Sequence, residues 1–148
     1  MAAVDVDTSD LWTCPLCGKR FVTRNMYHSC GKHTVDAFME GKGPAAWAFW
    51  ERLQEMVGRC GPYSIVANKT GLAFMVRVRF AGMSAVSERG MSLNFWLKRR
   101  IESPRFRKVE RYGRRDWVYF LRLPTLEDLD DEIQDWLCQS YLVGCQRG

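Results

Sequence analysis

Cys14, Cys17, His28, Cys30 and His33 crowd one short stretch of a 148-residue chain, and both of its histidines are among them. In Cys14-Pro15-Leu16-Cys17-Gly18 two residues separate the thiols. One turn then presents both sulfurs to a single ion, and Zn²⁺ takes four such N/S ligands in a tetrahedron. His28, Cys30 and His33 offer the second pair. Twelve residues lie between Cys17 and Cys30, the ordinary place for a third ligand. The pair His28 and His33 would instead imitate a two-cysteine, two-histidine finger, with only ten residues between Cys17 and His28. Phe21 stands where such fingers carry their core aromatic. Four protein ligands leave no open coordination position, so the expected zinc is structural rather than catalytic. It would supply about 10–16 kcal/mol of folding energy that so short a segment lacks.

A second signal is charge. The chain carries a net +5, but residues 75–122 hold thirteen Lys/Arg against four Asp/Glu, while residues 123–148 hold one against six. Such basic segments neutralise phosphates or other anions, and equally keep a protein soluble. The candidate binding residues are Lys69, Arg77, Arg79, Trp96, Lys98, Arg99, Arg100, Arg105, Arg107 and Arg122. Trp96, with Phe120, would stack bases as sheet aromatics do in RNA-binding modules. Two partners are therefore expected: DNA or RNA along an open sheet face, or a small anionic ligand in a pocket between that face and the 98–115 connection, near Trp96 and Lys69.

Catalysis has little to stand on. No histidine lies outside the cysteine stretch, and no phosphate-cradling glycine loop, Gly-x-Ser-x-Gly elbow or carboxylate pair at a strand end is present. The reading is non-enzymatic. The longest apolar run, residues 45–50, is six residues against the roughly 20 that a membrane span needs. The acidic N-terminus does not resemble an export signal. A cytoplasmic, reducing location is expected, in which the scattered Cys60, Cys138 and Cys145 are small core residues rather than disulfides.

These residues need elements to position them. Residues 1–10 read as a disordered polar tail, 11–33 as a zinc-finger-like module and 34–148 as an α+β domain. Thr34 caps a short turn over 35–40. Pro44 opens a helix to Gly58, with Ala46, Trp50, Leu53 and Val57 on one stripe. Strict alternation predicts strands over 63–67, 72–80, 91–97 and 116–123. Thr125, with Asp128 in capping-box position, opens a helix over 126–142. The expected fold is a two-layer sandwich: a four-stranded antiparallel sheet with two main helices on one face, preceded by the zinc module.

The Cys-Pro-x-Cys-Gly turn with His28-Ser29-Cys30-Gly31 resembles the N-terminal signature of a family of small bacterial proteins. Asn68-Lys69-Thr70, Ser103-Pro104-Arg105-Phe106, Leu129-Asp130-Asp131-Glu132-Ile133 and Ser140-Tyr141-Leu142-Val143-Gly144 extend the likeness. Together they resemble proteins carrying domain of unknown function 5655, over about residues 11–144. In that family the His-Ser-Cys triplet recurs while the His33 position varies, which implies Cys14, Cys17, His28 and Cys30 as the ligand set, with His33 the alternative fourth ligand. The resemblance implies no reaction, substrate or catalytic residue. The ending Ser140-Tyr141-Leu142-Val143 is also similar to domains described as double-wing and DNA-binding-like, an analogy of fold that adds a little to the nucleic-acid reading.

Overall fold

A computed structural model describes residues 7–22, 24 and 32–147. His28 and Cys30 lie outside the described residues. The elements run β1 (Trp12–Thr13), β2 (Arg20–Phe21), α1 (Val35–Met39), α2 (Pro44–Gly58), β3 (Ser64–Ala67), β4 (Gly71–Met75), β5 (Arg79–Ser87), β6 (Gly90–Leu97), β7 (Phe106–Tyr112), β8 (Asp116–Leu123), a 3₁₀ turn (Leu126–Asp128) and α3 (Asp131–Gly144). No helix among the described residues is long and apolar enough to cross a membrane.

The main sheet has six antiparallel strands in the order β3-β4-β5-β6-β8-β7, not four. Two features hid the extra strands. The alternation over 72–80 crosses a turn. Val76 N–H bonds the Val78 carbonyl, and the amides of Arg77 and Val78 both donate to the Gly144 carbonyl at the end of α3, at 2.9 and 3.1 Å. The chain reverses there, and a fresh strand, β5, begins at Arg79. Its residues Ala81, Gly82, Ser84 and Ala85 have little strand propensity by themselves; pairing on both sides carries it. The other strand, β7, reads Phe-Arg-Lys-Val-Glu-Arg-Tyr. Charges of this kind belong to an edge strand, where they discourage pairing with a second molecule.

The expected zinc-finger-like module over 11–33 is likewise corrected. Its described residues form a two-stranded hairpin, β1 with β2. Among the described residues no group of three or more His, Cys, Asp or Glu is placed to hold a metal. Of the expected tail, residues 1–6 lie outside the described residues. Residues 7–10 make contacts: Asp7 bonds Ser9, and Asp10 holds Arg77.

The core lies between the sheet and the two long helices, both on one face as expected. Leu72, Phe74, Met83, Met91, Leu93, Phe95, Tyr119 and Leu121 meet Trp50, Leu53, Ile133, Leu137 and Tyr141, all buried. Each such side chain contributes about 1.5–3 kcal/mol by leaving water. Trp50 stacks on Phe74 at 5.2 Å, and Phe95 on Tyr119 at 5.2 Å. The caps at α1 and the 3₁₀ turn are those expected, Thr34 accepting from Ala37 N–H and Thr125 reciprocating with Asp128. The last helix is split, however. Its capping box closes only the 3₁₀ turn, and Asp130 starts α3 afresh by accepting from Ile133 N–H. Gly144 is required where it stands, because any Cβ there would run into the Phe80 ring.

Cys60 and Cys138 form a disulfide, with Cα atoms 5.2 Å apart, against the expectation of isolated reduced thiols. It joins the residues just after α2 to the middle of α3. Gln134 reinforces the same seam by donating to the Met56 carbonyl at 2.8 Å. Disulfides persist in oxidising surroundings, so this bond is at odds with the reducing compartment read from the sequence.

Candidate functional site

The sheet face away from the helices carries Val66 on β3, Ala73 and Met75 on β4, Asn94 and Trp96 on β6, Asp116, Val118, Phe120 and Arg122 on β8, and Lys108 and Tyr112 on β7, as the strand registers require. The N-terminal hairpin covers only the β3–β4 half. Phe21 packs with Val66 and Met75 in a small cluster of its own, flanked by Trp12 and Ala73. Lys19 seals the contact by donating its Nζ to the Ile65 carbonyl. Arg20 ties back to the Thr8 hydroxyl at 3.0 Å.

Cys14 and Cys17 occupy the turn of this hairpin. Cys14 N–H donates to the Lys19 carbonyl at 2.7 Å, and Gly18 N–H to the Cys14 carbonyl at 2.9 Å. Gly18 sits at φ +77°, a backbone region that glycine enters without steric cost. The turn that the Cys-x-x-Cys-Gly spacing calls for is therefore formed. His33 is described, yet it does not join Cys14 and Cys17 in a potential ligand group.

Where the hairpin ends, a cavity of about 510 Å³ opens. Its walls are Phe21 and Val22 from the hairpin, Met75, Arg77, Val78 and Arg79 from the β4–β5 turn, Trp96 and Lys98 from β6 and its exit, Asp116 from β8, and Val143 and Gln146 from the end of α3. Apolar groups form most of the lining, with three cations on it.

Those cations differ in what they already hold. Arg77 uses four of its five donors. It makes two parallel bonds to the Asp10 carboxylate at 2.6 and 2.7 Å, and donates to the Asp7 carbonyl and the Gln146 side chain, each at 2.8 Å. The Arg77 bond holds the Asp10 carboxyl below its ordinary pKa, and Asp10 raises that of Arg77. By contrast, the side chains of Arg79 and Lys98 have no hydrogen bond or ion pair among the described residues. Partial burial holds Arg79 below the usual arginine value, which is what an uncompensated cation against an apolar wall experiences.

The remaining basic candidates scatter. Arg105 crosses to the helix side, where it meets Asp130 at 3.1 Å, Glu132 at 3.0 Å and the Asp128 carbonyl at 2.8 Å. Burial pulls its pKa down, and the bonds to Glu132 and Asp130 outweigh that and raise it. Arg99 bonds Gln139 on α3, and Arg100 lies 5.0 Å over the Trp117 ring. Arg122 is spent on the carbonyls of Ala85 and Arg89, bracing the bulged β5–β6 end. Lys69 is exposed in the β3–β4 turn and Arg107 on the edge strand; neither lines the cavity. The connection over 98–105 does not roof the open face either. Tyr119, buried in the core, anchors it on the helix side by bonding Ile101 N–H and the Arg99 carbonyl at 2.8 and 2.7 Å.

Of the ten candidates, Arg77, Arg79, Trp96 and Lys98 therefore converge. Sequence reasoning missed Asp10, Phe21, Asp116 and Gln146 as their neighbours. Only Asp116 carried a signal, as the alternating polar residue at the mouth of a strand.

A family model described as Domain of unknown function (DUF5655) matches residues 35–144. The match begins with the first residue of α1 and ends with the last of α3, so the hairpin, and with it Phe21 and Val22, lies outside it. No curated protein matches the chain, and no solved structure does.

Proposed function

The chain belongs to the DUF5655 family, and from that premise we propose that it is a zinc-supported binding module, not an enzyme, that takes a small anionic ligand in the cavity beside Trp96. One observation carries the reading: Arg79 and Lys98, whose side chains hold no hydrogen bond or ion pair among the described residues, line a largely apolar recess of ligand size. Ligand sites generally combine an apolar lining with a few convergent polar groups. Zinc has a supporting part. Cys14 and Cys17 would supply two thiolates from the hairpin turn, and His28 and Cys30 complete the set that the sequence implies. Such an ion cross-links the segment that forms one wall of the cavity. Elemental analysis tests it: one zinc per chain is expected, lost in Cys14→Ser. The ligand reading is tested by screening small anions for thermal stabilisation, with saturable protection expected in the native chain and none in Arg79→Ala.

Nucleic acid is the second reading, favoured by one feature. The rings of Trp96 and Tyr112 lie 5.0 Å apart on the open face, next to Phe120 with Lys108 at 5.5 Å from its centroid. A single strand could stack there. Anisotropy with a labelled single-stranded oligonucleotide separates the two. A strand bound on this surface would lose affinity steeply between about 50 and 200 mM salt, and no binding at about 50 mM would remove the nucleic-acid reading.

A further inference from the structure

We infer that the cavity selects a monocarboxylate with an apolar body over ligands that carry a phosphate. The inference rests on the anionic-ligand reading above and adds the chemical class. It follows from charge. Arg77 is matched by Asp10, which occupies two of its five donors in a fork-on-fork pair, while Gln146 and the Asp7 carbonyl take two more. Arg77 is thus a wall, holding residues 7–10 and the end of α3 together. What faces a ligand is Arg79 and Lys98 against the Asp116 carboxylate, a formal balance of +1. One carboxylate neutralises that balance. A phosphate monoester, carrying about −1.5 to −2 near neutral pH, exceeds it and is repelled by Asp116 more strongly than a carboxylate is.

Shape agrees. A guanidinium offers a flat two-pronged fork that fits a carboxylate, and Arg79 has its donors to spare. The remainder of the lining, with Phe21, Met75, Val78, Trp96 and Val143, offers little to the hydroxyl groups of a sugar and much to a ring or alkyl chain.

The test is calorimetric titration of the native chain, at one salt concentration, with indole-3-acetate, indoxyl phosphate and AMP. Indole-3-acetate is expected to bind at least tenfold more tightly than indoxyl phosphate, and AMP more weakly still. Arg79→Ala should weaken indole-3-acetate at least tenfold. Asp116→Asn should close most of the gap between the carboxylate and phosphate probes, and Lys69→Ala should change nothing. If phosphate-headed probes bind the native chain as tightly as the carboxylate, the cavity takes anions but the inference is overturned. If no probe binds, the anionic-ligand reading falls with it.

Discussion

The two faces of the six-stranded sheet are built from the same strands and alternate residue by residue, yet they have opposite characters. The helix face is complete. Its aromatics stack on one another, its buried phenols are bonded, Tyr119 to Ile101 N–H and the Arg99 carbonyl and Tyr141 to the Pro62 carbonyl, and Arg105 finds two carboxylates. The other face is half finished. A hairpin covers β3 and β4, and beyond its edge Arg79, Lys98 and Trp96 surround a recess. Among the described residues, Arg105 on the helix side holds carboxylates while the Arg79 and Lys98 side chains on the other hold no partner. The proposed function rests on that difference.

Substitutions sharpen this contrast, beginning with the largest. Tyr119→Ala removes a fully buried ring and the anchor of the 98–105 connection. It should cost about 3–5 kcal/mol in urea unfolding, while Trp96→Ala on the other face should cost under about 1.5 kcal/mol. Equal costs would mean that the open face is a second core. Next is the disulfide. With its cysteines 78 positions apart in sequence, reduction or Cys138→Ser should lower stability by about 2–4 kcal/mol, seen as a fall in Tm on adding dithiothreitol. Arg105→Ala should cost about 1 kcal/mol, since its partners remain half in water.

pH offers a smaller contrast. Burial raises the Tyr141 phenol to about 12, from an ordinary value of 10.0. The unfolded chain ionises first, so the helix side keeps its full stability below pH 10 and loses it as pH rises toward 12. Asp10 behaves oppositely. Its carboxyl, held below the ordinary 3.8 by Arg77, contributes at neutral pH and loses that contribution as acid protonates it below about pH 4. Asp10→Asn should loosen the N-terminal segment without unfolding the sheet, detected as faster cleavage before residue 20 in limited proteolysis.

What could be read in advance follows the same division. The core strands 91–97 and 116–123 and the helix from Pro44 were legible because burial on one face imprints a period on the sequence. The edge strand β7 was not, since its charges are there to discourage pairing, and β5 was not, since Gly82 and its small neighbours owe their extension to both flanking strands. Basic residues were legible as a group and misleading as a site. Arg99, Arg100, Arg105 and Arg122 are drawn to local partners that lie 20 or more positions away or across a ring, and a local charge count cannot see such pairings. The cavity itself joins residues from the hairpin, four strands of the main sheet and the end of the last helix, a convergence that only the folded topology creates.

The central claim can be tested at the indole of Trp96. In a ¹H–¹⁵N spectrum, Trp96→Phe identifies its Nε1–H signal among those of the six tryptophans. Titration with indole-3-acetate should move that signal saturably and in step with the calorimetric binding curve, and Arg79→Ala should abolish the movement. A Trp96 signal that stays in place while ligand binds, or while signals from the helix side move instead, would contradict the account.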